Sequence, residues 1–352
     1  MTGHTSIGLL FSVGILFHFC YCEVKCRNDE DEEVDWFILY KLPNVNNAGL
    51  LYLYMDESTN GWQLSQKEIN SRSGSLGNTL KPLLDFYDRK TEGFGYMLYN
   101  DQPPDPYAAP SSFGHSKGVV MLDRQHGLWL SHSTPKFPTY RNKDFWPKNG
   151  NSNAQTFICV NFPYAQFKAI GVQLKYIHAY SYDSVVPTTF HEELRCVAQR
   201  SCLPRKAPWS SVTTLTSMMG RSFTSFAKYG RFKNDLYSSL IADYVSEDLF
   251  VKGWGKLREP LASNCSSTAH IYNVKEVKLP RRKPFSDTQD HSKWCVTSDG
   301  SLTCIADMNR ERSQMDRGGG AICTADPVVG RVFRALIFQY EPCKQSNSER
   351  EL

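Results

Sequence analysis

After its first 22 residues the sequence lacks any apolar run long enough to cross a membrane, and it lacks the C-x-x-C spacing common in zinc sites. A membrane-spanning helix needs about 20 consecutive apolar residues, so we expect no membrane anchor in the body of the chain. Without paired cysteine ligands we also expect no metal and no other cofactor. The formal net charge of +4 over 352 residues does not by itself indicate a nucleic-acid partner.

The first 22 residues contain no Lys, Arg, Asp or Glu, and residues 7–19 are almost wholly apolar. This run is short for a membrane span, and it stops before polar Glu23. We therefore predict a cleaved signal peptide over residues 1–22, with an uncleaved signal anchor as the alternative. The remaining chain of about 330 residues is long enough for two modest subdomains.

Nine cysteines follow residue 22, an odd number. In an exported chain most cysteines pair, so one is expected to stay free or to form an intermolecular bond. Asn264 begins the one N-x-[ST] sequence in the chain, which predicts a surface glycan there.

Short apolar runs bounded by Gly, Asn or Pro predict buried strands. They span residues 34–39, 50–55, 94–99 and 156–160. Apolar residues at three- and four-residue spacing predict two helices, over residues 165–174 and 223–251.

A stretch rich in Pro, Ser and Cys predicts an irregular connection over residues 181–210, stapled by Cys196 and Cys202. This connection separates two halves of similar size. The predicted organisation is an N-terminal half over 23–180, a C-terminal half over 211–343 and a disordered polar tail over 344–352.

The tripeptide His-Ser-Lys occurs twice, as His115-Ser116-Lys117 and His291-Ser292-Lys293. Hydrolysis of a phosphodiester without a metal needs one imidazole to attack phosphorus and another to protonate the leaving oxygen. It also needs fixed cations around the phosphoryl oxygens, which the two lysines can supply. Because residues two apart on an extended strand share a face, each His and Lys can address one phosphate.

Each motif leads into a predicted β-hairpin. In the first, a turn centred on Gln125 pairs Gly118 with His132, which brings His132 beside the histidine and lysine of the motif. His126 lies in this turn and is expected to be exposed to solvent.

In the second hairpin, the turn brings Lys293 opposite Ala306 or Asp307. Asp307 and Asn309 are then expected to flank His291. Both copies therefore predict an imidazole and an ammonium group at the mouth of a hairpin, with a polar group returning beside them.

Alternatives remain open for these patterns. A single His-x-Lys on a strand more often forms part of a solvated face, whereas two copies with matching hairpins favour a site. The glycines that follow Arg317 form either an anion-binding nest or a flexible loop. A phosphodiesterase acting on lipid or another substrate, and an inactive nucleic-acid-binding protein or toxin, are the rival functions.

Motifs spread over residues 26–343 resemble those of the deoxyribonuclease II family. They include Asp35-Trp36-Phe37, Tyr40-Lys41-Leu42-Pro43, Tyr99-Asn100-Asp101, Gly114-His115-Ser116-Lys117-Gly118, Trp129-Leu130-Ser131-His132-Ser133, Ser225-Phe226-Ala227-Lys228, Ser263-Asn264-Cys265-Ser266, Asp290-His291-Ser292-Lys293-Trp294-Cys295, Asp307-Met308-Asn309-Arg310 and Arg317-Gly318-Gly319-Gly320. The stretch around His291 is the most specific of them.

The resemblance implies a phospholipase D-like α/β fold: two related halves, each a central mixed sheet flanked by helices, with pseudo-twofold symmetry and one site between them. It implies a metal-independent acid endonuclease that acts on double-stranded DNA in lysosomes, or after secretion, and leaves 3′-phosphate and 5′-hydroxyl ends. A homodimer is also left open.

Carried over by motif, the catalytic residues are His115, Lys117, His132, His291 and Lys293. The acidic residue that follows His-x-Lys in the wider superfamily is offset here to Asp123, which falls in the predicted turn. The implied disulfides are Cys26–Cys159, Cys265–Cys343 and Cys304–Cys323, with Cys196–Cys202 as an extra bridge and Cys295 left free.

Overall fold

The computed structural model describes residues 23–343. The predicted signal peptide (1–22) and the predicted disordered tail (344–352) lie outside the described residues. Within 23–343, no helix has both the length and the apolar character needed to cross a membrane.

The first half forms an eight-stranded sheet with the order β3-β2-β1-β7-β6-β5-β4-β8. Three helices, α1 (Ser75–Asp88), α2 (Gln166–Ile177) and α3 (Glu192–Ala198), accompany it. The strands are β1 (Trp36–Lys41), β2 (Tyr52–Asp56), β3 (Gln63–Leu64), β4 (Gly95–Asn100), β5 (Lys117–Leu122), β6 (His126–His132), β7 (Gln155–Pro163) and β8 (Ser181–Val185).

The second half forms a nine-stranded sheet with the order β13-β12-β11-β14-β15-β16-β10-β9, in which β17 also pairs with β12. Its helices are α4 (Ala242–Val245) and α5 (Pro327–Leu336). The strands are β9 (Ser210–Thr216), β10 (Ser222–Lys228), β11 (Leu249–Lys252), β12 (Ile271–Val277), β13 (Phe285–Ser286), β14 (Trp294–Thr297), β15 (Thr303–Ala306), β16 (Gly319–Thr324) and β17 (Ile337–Tyr340).

The two sheets repeat one topology. The path β2-β1-β7-β6-β5-β4-β8 in the first matches β9-β10-β16-β15-β14-β11-β12 in the second. The match differs at both ends. The edge strand β2 follows β1 in the chain whereas β9 precedes β10, and β4 and β8 are antiparallel whereas β11 and β12 are parallel. The predicted α/β fold of two related halves is therefore confirmed, and the mixed strand direction belongs to the second sheet.

The two sheets share one hydrophobic core. On β1, Trp36, Ile38 and Tyr40 belong to the inner cluster that also contains Trp294 of the second half. The alternate residues of β1, including Phe37, pack on the outer face of the first sheet. Side chains of a strand alternate between its faces, so unbroken apolar runs of this kind place each strand between two packed layers.

The predicted helix over residues 223–251 is wrong. Phe223 and Phe226 are three residues apart, which suits one face of a helix, but they lie on opposite faces of β10 and enter different hydrophobic clusters. Pairing of β10 with both β9 and β16 outweighs the helical spacing. Helical structure in this segment is confined to a 3-10 turn at Gly230–Phe232 and to the short stretch between Tyr237 and Val245. The other predicted helix is confirmed as α2.

The predicted irregular connection is also wrong in part, because residues 181–210 include β8 and α3. β8 forms the edge of the first sheet beside β4. The bridge between Cys196 and Cys202 closes the turn that follows α3.

Four disulfides link the described residues: three have the pairing that the family resemblance implies, and the fourth is the expected extra bridge between Cys196 and Cys202. Cys295 is free and buried. The bridges are Cys26–Cys159, Cys196–Cys202, Cys265–Cys343 and Cys304–Cys323.

Candidate active site

The two His-Ser-Lys motifs lie at equivalent places in the repeat, at the beginnings of β5 and β14. Their lysines are about 1% exposed, and His115 is 8% exposed. Such burial of cationic side chains is costly unless each has a specific partner. The alternative of a solvated face is therefore excluded for both motifs.

Each histidine is held by the opposite half. His115 Nδ1 lies 2.6 Å from the main-chain carbonyl oxygen of Asp307, and His291 Nδ1 lies 3.0 Å from that of Ser133. A carbonyl oxygen can only accept, so both contacts require the proton on Nδ1. In the neutral rings Nε2 then carries a free lone pair, which suits it to attack phosphorus or, once protonated, to donate a proton.

The hairpin registers make this exchange symmetric. Gly118 pairs with Ser131 and Trp294 pairs with Ile305, so Ser133 and Asp307 occupy equivalent positions on the two return strands. The predicted pairing of Gly118 with His132 is wrong by one residue.

The cause of that shift is the Asp123 side chain. Its carboxylate accepts hydrogen bonds from the N–H groups of Gln125 and His126, at 2.7 and 2.9 Å, which tightens the turn. Asp123 therefore lies in the turn, as the sequence indicates.

In the second hairpin, the Ala306 N–H donates to the Lys293 carbonyl oxygen at 2.9 Å, which confirms the predicted register. The main chain of Asp307 contacts His115, which the sequence did not indicate, and its expected place beside His291 stays a prediction. Asn309 accepts a hydrogen bond from the Trp254 N–H at 3.0 Å, and the ring of Trp254 lies edge-on to His291 with centroids 5.2 Å apart.

Each lysine of the pair has a different partner. Lys117 forms a close ion pair with Asp101, whose other carboxylate oxygen accepts from Arg317 of the second half at 3.1 Å. Lys293 donates to the carbonyl oxygen of His291 at 2.7 Å. Its ammonium nitrogen also lies 3.2 Å from the Nδ1 atom of the same residue, a contact that is not a hydrogen bond while Nδ1 donates to Ser133. The predicted sharing of one strand face by His and Lys is confirmed for this copy.

Burial and like charge favour the neutral form of both histidines. Burial, with Lys117 and Lys293 nearby, lowers the pKa of His115 to about 3, against the opposing effect of Asp101. Burial and the charges of Lys293 and Lys117 likewise hold the pKa of His291 well below its usual range. A cluster of cations that disfavour one another is the electrostatic character expected of an anion site.

The carboxyl group of Asp307 is also buried, and its pKa is also shifted. Burial raises the pKa of its carboxyl group to about 8, although Lys117 acts in the opposite direction. One carboxyl oxygen accepts from the Gly320 N–H at 3.2 Å, and the other is buried without a hydrogen-bond partner. Because Gly319 and Gly320 belong to β16, the segment after Arg317 is neither the predicted nest nor a flexible loop.

His132 differs from the other two histidines. Its Nδ1 accepts a hydrogen bond from the Thr134 N–H at 3.2 Å, so its neutral ring carries the proton on Nε2. That Nε2 atom is buried without a partner, and the ring packs against Phe137 and Phe157. Burial lowers the pKa of His132, and the charge of Lys117 lowers it further.

Asp290 fixes the segment that carries His291, and sequence reasoning did not assign it this role. Its carboxylate accepts from the Tyr40 hydroxyl at 2.6 Å and from the Ser292 N–H at 3.0 Å, and it lies 3.4 Å from the Lys252 ammonium nitrogen. Asp101 was missed in the same way. Asp101 directly follows β4, and Asp290 directly precedes the second His-Ser-Lys motif. Only the tertiary structure shows which residues they contact.

The other histidines lie elsewhere. His126 is buried, at 7% exposure, with Glu23 and Asp123 within 4 Å of its Nε2 atom, so its predicted exposure is wrong. His191 stacks on Tyr164. Within residues 23–343, no group of three or more His, Cys, Asp or Glu side chains has an arrangement that could hold a metal ion.

Two equivalent sheets that each contribute a histidine and a lysine to one cation-rich centre define a duplicated α/β protein with a paired-histidine site. A model of the family described as Deoxyribonuclease II matches residues 25–343. The chain belongs to the deoxyribonuclease II family, and it is an enzyme of that class.

Individual relatives support the assignment along nearly the whole chain. Deoxyribonuclease-2-beta of Homo sapiens is 38% identical over 351 residues, covering 97% of each chain. Deoxyribonuclease-2-alpha of Rattus norvegicus is 39% identical over 334 residues, covering 91% of this chain and 95% of its own. Plancitoxin-1 of Acanthaster planci is 36% identical over 334 residues, covering 91% and 92%.

The Asp290 contacts predict a large loss of stability in Asp290→Asn. Both Asp290 and Lys252 have fully buried side chains, so removal of one charge leaves the other without compensation, at a cost of about 3–5 kcal/mol. Asp316→Asn is the matched control, because Asp316 and Lys233 are 62% and 65% exposed and their pair is expected to contribute less than about 1 kcal/mol. Urea unfolding measures both, and equal losses would contradict the account.

Proposed function

We propose that this protein is an acid endodeoxyribonuclease that hydrolyses DNA phosphodiesters through a phosphohistidine intermediate and without a metal. The observation that carries the proposal is the reciprocal pair of hydrogen bonds from His115 to Asp307 and from His291 to Ser133. These bonds present two Nε2 atoms, one from each half, at a centre where Lys117 and Lys293 supply positive charge.

In the proposed reaction, His115 Nε2 attacks phosphorus and forms a P–N bond while the bond from phosphorus to the 5′ oxygen breaks. His291, protonated on Nε2, gives its proton to that departing oxygen, which leaves as a 5′-hydroxyl group. Water then attacks the phosphohistidine, and His291 accepts a proton from it. The P–N bond breaks, and the product is a 3′-phosphate.

This sequence of steps needs one neutral and one protonated imidazole at the same time. Both histidines have lowered pKa values, so protonation of His291 is favoured at acid pH and by the negative charge of a bound phosphodiester. Two histidines around one phosphate titrate as a coupled pair, so we expect a bell-shaped dependence of rate on pH.

The charges around the scissile group support an acid optimum as well. The raised pKa of Asp307, about 8, keeps its carboxyl group protonated in acid, where it does not repel the phosphate. Lys117 and Lys293 neutralise the phosphoryl oxygens in the role that a divalent cation has in other nucleases. We propose that His132 does not transfer protons, because its Nδ1 accepts from the Thr134 N–H and its Nε2 is buried without a partner in a ring that packs against Phe137 and Phe157.

The four disulfides support folding in an oxidising compartment, in agreement with the predicted signal peptide. We propose delivery to the lysosome, where acid pH suits the site, with secretion as the other outcome of the same route. The glycan predicted at Asn264 stays a prediction.

Cleavage of supercoiled plasmid between about pH 4 and pH 8, with and without a chelator, tests the proposal. We expect double-strand and single-strand cuts in acid, no effect of chelator, and little cleavage at the alkaline end. RNA and phosphatidylcholine serve as comparison substrates. Preference for either of these, or loss of DNA cleavage with chelator, would contradict the proposal.

Replacement of His115 removes the proposed nucleophile, and replacement of His291 removes the proposed acid. We expect His115→Ala and His291→Ala to lower kcat by about a thousandfold or more, because the two rings act as one unit. His270→Ala is the control, since that histidine lies near Asp248 and away from both motifs. Rapid alkaline quenching with labelled DNA should trap phosphate on His115, because the P–N bond of phosphohistidine is stable in base and hydrolyses in acid. Trapping on His291 would exchange the two roles, and near-normal rates in either variant would remove that residue from the mechanism.

Lys293→Gln tests the electrostatic part of the proposal. The positive charge of Lys293 disfavours protonated His291, so its removal raises the pKa of His291 and lets the acid stay protonated at higher pH. We expect the alkaline limb of kcat/KM to move up by about one pH unit while the maximal rate falls. Lys233→Gln, at an exposed ion pair, is the control. An alkaline limb that stays in place or moves down would be the contrary result.

A further inference from the structure

A row of aromatic rings begins two residues before His115 and has no part in the proposed chemistry. The ring of Phe113 stacks on that of His178, with the two ring centroids 4.2 Å apart. The centroids of His178 and Tyr229 are 5.7 Å apart, and those of Tyr229 and Trp209 are 6.2 Å apart. We call Phe113, His178, Tyr229 and Trp209 the aromatic row. Its members come from four separate segments of the chain and are all partly exposed.

The inner end of the row is joined to the active site through the main chain. The Gly114 N–H donates to the His178 carbonyl oxygen at 2.9 Å, and the His115 N–H donates to the Gly318 carbonyl oxygen at 2.8 Å. A Cβ atom at position 114 would overlap the carbonyl oxygen of Ile177, so only glycine permits this approach. The geometry of the row is therefore fixed relative to His115.

The outer end of the row carries positive charge. The guanidinium group of Arg231 lies 5.1 Å from the ring centroid of Trp209, and Arg205 and Lys206 are exposed in the segment that leads into Trp209. The surrounding stretch, residues 199–234, contains seven Lys or Arg residues and no Asp or Glu. This stretch holds two members of the row, and its excess of positive charge suits a polyanionic partner.

Exposed rings interleaved with cations are the combination that binds nucleic-acid strands, because rings stack on bases while cations pair with phosphates. We propose that the aromatic row and Arg231 bind the DNA strand on the His115 side of the scissile phosphate. This inference rests on the proposed function and adds the path of the substrate away from the reacting group. Substrates too short to reach Trp209 gain nothing from the row.

Trp209→Leu and Trp209→Phe test the inference with two substrates. We expect Trp209→Leu to raise KM for a long single-stranded DNA about tenfold, since stacking on one unpaired base contributes that order of affinity. Trp209→Phe keeps a ring and should stay within about twofold of the unaltered protein. Turnover of bis(4-nitrophenyl) phosphate, a diester with no flanking strand, should be unchanged in both variants.

The matched control is Phe338→Leu, because Phe338 is 54% exposed and has the Lys278 ammonium 5.7 Å from its ring centroid, away from the row. It should leave both KM values unchanged. As a second variant, Arg231→Gln should lower the slope of log Kd against log salt concentration by about 0.9, the value for one lost phosphate contact.

Several results would overturn the inference. An unchanged KM for long DNA in Trp209→Leu would do so, as would an equal loss on the small diester, which would indicate a merely structural tryptophan. An unchanged salt slope in Arg231→Gln would remove the cationic part. If the unaltered protein cleaves the small diester but not DNA, the proposed function fails together with the row, whereas normal DNA cleavage with an unaffected Trp209→Leu variant refutes the row alone.

Discussion

The hydrogen bonds exchanged between the halves set the conditions for everything else in this structure. The carbonyl oxygen of Asp307 orients His115, and the carbonyl oxygen of Ser133 orients His291, so neither half holds its own histidine in place. Because carbonyl oxygens accept and never donate, this arrangement also fixes the tautomer of both rings. A duplicated fold thereby gains a site that exists only when its two halves are packed together.

The same packing explains why the site is rich in charge yet buried. The shared core brings the ends of β5 and β14 together, and with them Lys117 and Lys293. Asp101 compensates the first lysine and, through Arg317, joins the two halves a second time. The remaining excess of positive charge lowers the pKa values of the histidines, and a bound phosphodiester is the group that would relieve it. The excess positive charge therefore destabilises the folded protein and at the same time favours the binding of an anion.

The sequence predicted the structural features that depend on neighbouring residues, and it missed the contacts between residues far apart in the chain. Both hairpins, the two motifs and α2 follow from short-range patterns, and one register error came from the Asp123 side chain, which tightens its own turn. The partners of His115 and His291 are 192 and 158 residues away along the chain, so no spacing rule could find them. The helical spacing of Phe223 and Phe226 misled for the opposite reason, since sheet pairing on both sides of β10 decides the structure of that segment.

Nitrogen-15 NMR of the histidine rings is the most direct test of the exchanged hydrogen bonds. Near neutral pH and without phosphate, the account predicts that His115 and His291 both carry a proton on Nδ1 and none on Nε2. Addition of phosphate in acid should then raise the pKa of the two rings together, as a coupled pair. Protonation on Nε2 in either neutral ring, or two independent titrations near the ordinary value of about 6.5, would contradict it.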